Sequence, residues 1–333
     1  MKTLVEQLLA ELNKADNIYI FSHVNTDGDA LGSCGAFVLS LRQLGFEKSY
    51  VVLGERPTKT LEPLLPPKEM YMVADEVNIV GKEGDLAVCL DASTIERLQE
   101  DARKVALGCG RIVKIDHHIQ GKDSAYADVE ISDADWAATC EGLYDILKLM
   151  GVVIDKEIAM RLYWGILTDS GRFTFSNTTG DTLRIVAALV DILGTNLTWI
   201  AERNYDKNSE ATLRLHGVAF RKMEVLAGGK LVAVLLNNRD FKSAGAELSD
   251  SHSVAAELLK VEGAVMSIFI RPTSMADDEI EFKASMRCSE GWDVSEICGY
   301  FGGGGHKCAA GATIEGDEET VYRMAVSCAL EHI

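Results

Sequence analysis

Proline, basic charge, paired cysteines and long apolar runs are all scarce in this chain. Five prolines occur in 333 residues, and four of them, Pro57, Pro63, Pro66 and Pro67, share one loop. The remainder is therefore open to regular structure. No stretch approaches the ~18 consecutive apolar residues of a membrane-spanning helix, so no membrane partner is expected. The first residues, MKTLVEQLLAELNKAD, set apolar positions at helical spacing with acidic residues among them, which is unlike a signal peptide. Cys34, Cys89, Cys109, Cys140, Cys288, Cys298, Cys308 and Cys328 are scattered, with no CxxC spacing. A chain of this length needs no disulfide framework, and they read as reduced thiols in a cytoplasmic protein. Lysine and arginine total 33 against 51 acidic residues, for a net charge of −18. The deficit is shared, with 19 basic against 29 acidic in residues 1–190 and 14 against 22 in the rest. Such a surface repels polyanions, which disfavours long duplex nucleic acid and anionic membranes as partners. A small anionic substrate held by a few local cations or metal ions stays compatible.

What is abundant is apolar. At 47% hydrophobic residues, the chain can bury large cores, and its length suits about two domains. In the first 190 residues the runs NIYIF (17–21), KSYVVLG (48–54), DLAVCLD (85–91) and RIVKID (111–116) read as strands. Helical patterns lie near 30–45, 135–150, 155–168 and 181–193. Continuous apolar runs mark parallel strands covered on both faces. Their alternation with helices predicts βαβ units with right-handed crossovers. The polar stretch 194–215 reads as a mostly helical connection. Beyond it, KLVAVLLN (230–237), AVMSIFIR (264–271) and EIEFKASMR (279–287) read as strands, with a helix near 250–260. The expected fold class is α/β: an N-terminal parallel-sheet domain and a second, smaller mixed-sheet α/β domain.

Chemistry concentrates where the apolar runs end. SHVNTDGDALGS (22–33) carries His23, Asp27 and Asp29; CLDAS carries Asp91; Asp116, His117 and His118 are consecutive; TDSGRF (168–173) carries Asp169. In an open parallel sheet the carboxyl ends of the strands line one crevice, which is where such folds bind ligands. A single Asp-Gly segment is usually a turn, and a single Asp at a strand end is usually a helix cap. Four such segments aimed at one edge are harder to explain that way. Imidazoles with several carboxylates and no thiolate suit manganese, iron, cobalt or magnesium. Four aspartates and two histidines exceed what one open ion needs and suit a pair about 3.5–4 Å apart. Such a pair activates water at neutral pH and neutralises charge on a phosphoryl group.

The segment SMRCSEGWDVSEICGYFGGGGHKCAAGA (285–312) is the second signal. Gly302, Gly303, Gly304 and Gly305 let backbone approach a ligand and offer N–H groups to an anion. Arg287, near a strand end, is suited to bidentate phosphate contact.

Together these residues resemble the DHH phosphoesterase superfamily, in which a DHH domain precedes a DHH-associated domain. The likeness covers nearly the whole chain. SHVNTDGDALGS looks like the first motif, Asp91 the second, Asp116-His117-His118 the third and Asp169 the fourth; GGGGH at 302–306 looks like the mark of the associated domain. Within the superfamily the chain looks most like the NrnA-like group of nano-RNases and 3′-phosphoadenosine 5′-phosphate (pAp) phosphatases. The resemblance implies a catalytic domain over 1–193, a linker over 194–215 and a substrate-binding domain over 216–333. It implies two divalent ions, manganese first, with magnesium or cobalt as alternatives. His23, Asp27 and Asp91 would hold one ion; Asp29, Asp91, His117 and Asp169 would hold the other. His118 would lie nearest the scissile phosphate, with Asp116 orienting a neighbouring histidine. Arg287, the glycine run and His306 would hold the substrate's terminal phosphate and nucleoside. Two positions depart from the pattern: Cys288 stands where serine is expected as a polar contact, and NTDGD stands for a DxDA-like core.

The reading is a manganese-dependent phosphoesterase that cuts 5′-phosphorylated oligonucleotides of 2–5 residues to mononucleotides and also takes pAp. Rivals are a phosphodiesterase for cyclic or linear dinucleotide messengers such as c-di-AMP or pApA, and an exopolyphosphatase or pyrophosphatase-like enzyme. A catalytically silent nucleotide-binding module would have lost a metal ligand, and a processive exonuclease would show a basic channel. Neither mark is present. The oligomeric state is open, a homodimer included.

Overall fold

The computed structural model describes residues 1–119, 124–194, 208–276 and 280–333, with Leu197 and Ile200. The chain divides into two compact units, Met1–Asp206 and Lys207–Ile333.

In the first unit, α1 (Lys2–Lys14), β1 (Ile18–Phe21), α2 (Gly28–Gln43), β2 (Ser49–Leu53) and β3 (Tyr71–Val73) lead to β4 (Leu86–Leu90). There follow α3 (Glu100–Gly108), β5 (Arg111–Asp116), β6 (Val129–Ser132), α4 (Thr139–Leu149), α5 (Lys156–Asp169) and α6 (Gly180–Leu193). The six strands are parallel in the order β3-β2-β1-β4-β5-β6. RIVKID is thus the fifth strand, because the short β3 precedes it. Every residue of β1 and β4 is buried. Ile18, Ile20, Val88, Leu90, Val113 and Ile115 pack into a core with residues of α1, α2, α4 and α5. Tyr19, Phe21, Ala87 and Cys89 face the other way, onto Ala102, Val105 and Ala106 of α3. With both faces covered, only the strand ends are accessible. Strand order reverses between β1 and β4, so the crevice of this doubly wound sheet opens at their carboxyl ends.

The second unit holds α7 (Glu210–Lys222), β7 (Glu224–Leu226), β8 (Leu231–Leu235), α8 (Asn238–Ala244), α9 (Val254–Leu258) and β9 (Met266–Pro272). It continues with β10 (Glu281–Cys288), α10 (Val294–Tyr300), β11 (Gly304–His306), β12 (Ala309–Glu315) and α11 (Glu318–Leu330). The sheet order is β11-β12-β10-β9-β8-β7. β8 and β9 are parallel and the other described pairs antiparallel, so the sheet is mixed. One face is buried under α10 and α11; the other is covered over β8 and β9 by α7, α8 and α9. Of the stretch read as a connection, 195–196, 198–199 and 201–207 lie outside the described residues, and 210–215 open α7. No helix among the described residues is long and apolar enough to cross a membrane.

Candidate functional site

The crevice between β1 and β4 gathers the residues that the sequence singled out. His23 follows β1 and donates its Nδ1–H to the Val24 carbonyl at 2.7 Å. Its Nε2 is thereby presented 3.3 Å from Asp91 Oδ2 and 3.6 Å from Asp27 Oδ2. Asp27 is the N-cap of α2, with Oδ1 accepting from the amides of Asp29 and Ala30. The cap and the site are served by different oxygens of one carboxylate.

Asp91 follows β4 in the left-handed region, φ 55°, which aspartate tolerates better than most residues. Its amide donates to the Ile115 carbonyl at 3.0 Å, and Thr139 Oγ1 donates to its Oδ1 at 3.1 Å. His117, just past β5, sits 3.3 Å through Nδ1 from the Trp136 carbonyl. Its Nε2 lies 3.5 Å from Asp91 Oδ1 and 3.2 Å from Asp169 Oδ2, yet is buried and makes no hydrogen bond. Asp169 closes α5, where the helix dipole disfavours a carboxylate. His118 donates Nδ1–H to Asp116 Oδ1 at 2.8 Å.

Asp29 is fully buried at the start of α2. Its two oxygens accept from the amides of Thr139 at 2.6 Å and Cys140 at 2.9 Å. α4 begins after Ala138 with no side-chain cap of its own, so Asp29 caps it from another helix. α2 and α5 can approach this closely because Gly32 and Gly165 lie at the contact. A Cβ at Gly32 would fall 2.7 Å from the Arg161 carbonyl, and one at Gly165 would fall 2.7 Å from Asp29 Oδ1.

Among the described residues three triads offer ligand atoms within 4.8 Å of one another: His23–Asp27–Asp91, Asp29–His117–Asp169 and Asp91–His117–His118. Burial, then the charges of Asp91 and Asp169, push Asp29 well above the usual carboxylate range. Burial likewise lifts Asp169 to about 6, against the pull of His117. Carboxylates this crowded and this dry call for cations. The orphaned His117 Nε2 and the oxygen-and-nitrogen donor set fit a divalent ion. The Thr139 and Cys140 amides, the Thr139 hydroxyl and the Trp136 carbonyl were not read from sequence. The one available signal was a helix, α4, that starts without a capping side chain.

In the second unit Lys283, Ser285 and Arg287 alternate along β10 on the face opposite Phe282, Ala284 and Met286. They line a cavity of about 530 Å³ with Phe301 and Gly302–Gly304. Ala309, Gly311 and Thr313 lie across from them on β12, and their small size leaves the space open. One expectation is corrected here, and the departure at Cys288 finds its physical account. The amides of Gly302 and Gly303 donate to Gly299 at 3.0 Å and Cys298 at 2.9 Å, closing α10 in a Schellman motif with Gly302 at φ 72°. Those two N–H groups are committed to the helix and do not face an anion. Cys288 is buried and its thiol donates to the Lys307 carbonyl at 3.4 Å, so this position gives no contact to the cavity; Ser285 supplies the hydroxyl there. Gly305 pairs with Ala310 in β11. His306 ends β11, and its side chain lies outside what is described.

Residues 17–166 match the DHH family, N-terminal domain, and residues 228–325 match the DHHA1 domain. The chain is 34% identical to the bifunctional oligoribonuclease and PAP phosphatase NrnA of Thermus thermophilus, across 98% of this chain and 94% of the relative. It is 26% identical to the protein of the same name from Bacillus subtilis, across 94% and 93%. An exopolyphosphatase-related protein from Bacteroides fragilis superposes with a TM-score of 0.88 at 25% identity, across 99% and 96%. One matched span falls in each unit, and the first encloses the crevice at β1 and β4. The chain belongs to the DHH family and is a phosphoesterase of that family, with its DHHA1 domain in the second unit.

Proposed function

We propose that the protein is a manganese-dependent phosphodiesterase that hydrolyses 5′-phosphorylated oligonucleotides of about two to five residues to mononucleotides, and that it removes the 3′-phosphate of pAp. The observation that carries this reading is the place of Asp91, whose two oxygens face His23 on one side and His117 on the other. His23, Asp27 and Asp91 hold one ion; Asp29, Asp91, His117 and Asp169 hold a second. When bound, such ions supply Lewis acidity toward phosphoryl oxygens and lower the pKa of water. His118, anchored through Nδ1–H on Asp116, donates from Nε2 to a phosphoryl oxygen as the imidazolium, which carries a proton on both nitrogens. In the second unit Arg287 and Lys283 hold a terminal phosphate by charge-assisted contacts, with Gly304 beside it. The names of the Thermus and Bacillus relatives support the substrate class. A net charge of −18 agrees with a substrate too short to need a basic track. The described cysteines are all free thiols, which fits a reducing cytoplasm.

The test is a product assay with manganese on RNA and DNA dinucleotides, pApA, pAp, a cyclic dinucleotide, polyphosphate and a 24-mer. Mononucleotides should appear fastest from the linear dinucleotides, with pAp next. Asp91→Asn should lower every rate by roughly 10³-fold or more, because it weakens both ion sites. A clear preference for polyphosphate or the cyclic substrate would sink the reading.

A further inference from the structure

We propose that Lys114 is a positioning residue for His118, acting through Asp116. Lys114 lies in the middle of β5, a strand whose last four residues are all buried, and its own side chain has no exposure. An ammonium in such a place is costly unless it is paired. Its neighbours show what it is paired with. Lys114 and Asp116 are two residues apart on one strand, so their side chains leave the same face of the sheet. Lys114 Nζ is 3.8 Å from Asp116 Oδ2 and 3.2 Å from Glu130 Oε1. The carbonyls of Ser93 at 3.4 Å and Ser124 at 3.3 Å accept from it, and the Tyr126 ring lies 5.4 Å away.

Asp116 is also fully buried. Its Oδ1 accepts from His118 at 2.8 Å, while Oδ2 is buried with no hydrogen bond. Among the described residues, Lys114 is the cation that faces that oxygen. Without it the carboxylate would be a dry anion held, among the described residues, by the imidazole and backbone N–H of His118, and the arrangement would relax or take up a proton. With it, the charge on Asp116 is fixed and the acceptor aimed at His118 Nδ1 stays in place. Ser93 and Ser124 give Lys114 carbonyls outside β5, so the ammonium is clamped from two loops rather than by its own strand. A lysine at this point of an otherwise apolar run breaks the local pattern, and such breaks gather at functional sites. The inference rests on the phosphoesterase reading of the site, not on which nucleotide it takes.

The test is a double-mutant cycle on the full chain with manganese and an activated diester, bis(p-nitrophenyl) phosphate. Lys114→Met and Asp116→Asn should each lower kcat by roughly 10- to 100-fold. KM should stay within about twofold of the parent, so that the loss is one of transition-state stabilisation. Calorimetric manganese affinity should be unchanged in Lys114→Met. The double variant should be no slower than the slower single, because both changes break one relay. Losses that multiply, or a Lys114→Met kcat within about twofold of the parent, would overturn the proposal. Should Lys114→Met fail to fold, Lys114→Met/Glu130→Gln removes both charges and is compared with Glu130→Gln; equal rates for that pair would overturn it. A second readout needs neither metal nor substrate. The Nδ1–H signal of His118 in 15N-histidine-labelled, metal-free protein should be protected in the parent and lost to exchange in the Lys114 variant. An unchanged signal would overturn the relay even if the substrate assignment were wrong.

Discussion

Asp29, Asp91 and Asp169 converge on two imidazoles in a crevice with little access to water, and the imidazoles with Asp29 and Asp169 answer by holding protons. For His23, burial would lower the pKa, but the facing carboxylates of Asp27 and Asp91 outweigh it and hold the ring at about 11. For His117, burial again works downward, and Asp169, Asp29 and Asp91 raise it to about 10. Both folded values exceed the unfolded value of about 6.5. The protonated rings therefore stabilise the metal-free fold fully below about pH 6.5, and that contribution is lost as pH rises toward 10–11. Asp169, lifted to about 6, acts in the same direction at lower pH. Metal-free protein should thus melt at steadily lower temperature from pH 6.5 to 10, and His23→Gln/His117→Gln should flatten that slope. Manganese must displace these protons, so calorimetry at pH 7 in buffers of different ionisation enthalpy should show release of about one to two protons per chain. A flat melting profile together with no proton release would contradict this account. The residues that titrate here were readable in the sequence because histidine and aspartate at the ends of apolar runs have few bland explanations. Their supports were not: the Trp136 carbonyl and the Thr139 and Cys140 amides act through backbone atoms, which any residue type supplies. Lys114 is not legible as a site residue, because Ile112, Val113 and Ile115 around it read as a buried strand.

At the scale of elements, the contact of α2 with α5 decides whether the crevice has the right width. A Cβ at Gly165 would meet Cys140 Sγ at 2.4 Å and Asp29 Oδ1 at 2.7 Å. Gly165→Ala should therefore force the helices apart, at a cost of about 1–3 kcal/mol. It should also weaken manganese binding, since Asp29 and Asp169 move with α2 and α5. Gly217 in the middle of α7 has nothing within 4 Å of its would-be Cβ, so Gly217→Ala should be stabilising by up to about 1 kcal/mol and leave metal affinity alone. Melting with and without manganese separates the two; equal effects would mean that the α2–α5 spacing is not what sets the site. The central strands and the helices α2, α4, α5 and α6 were visible in the sequence because full burial writes unbroken apolar runs and strong helical periodicity. β3, β6 and β7 were not. They are short and all three lie at sheet edges, where one-sided burial and three or four residues leave too little pattern to read. β11 was hidden for another reason. A run of glycines signals backbone freedom, and only the β12 partner shows that half of it is a strand and half a helix terminus.

The whole molecule is two cores on one chain. Among the described residues, the apolar clusters of the first unit draw on residues up to Ile200 and those of the second start at Ala211, so each cluster is built from one unit's residues. A fragment of residues 1–206 should consequently fold alone, which cooperative melting and circular dichroism would establish first. It keeps His23, Asp27, Asp29, Asp91, His117 and Asp169 and should bind manganese as tightly as the full chain. It lacks Lys283, Ser285 and Arg287. If those residues hold the terminal phosphate, the fragment gives up the positioning that makes a bound dinucleotide react as though intramolecular. Its dinucleotide turnover should fall by at least about 100-fold, whereas bis(p-nitrophenyl) phosphate, which needs little positioning, should lose no more than about tenfold. Arg287→Ala in the full chain should reproduce part of that loss, and should do so only for substrates that carry a terminal phosphate. Removing the phosphate from the substrate and removing the arginine from the protein should then not add, because each abolishes the same contact. A fragment that cleaves dinucleotide as fast as the full chain would show that the second unit takes no part in the reaction, and the cavity beneath Arg287 would need another ligand.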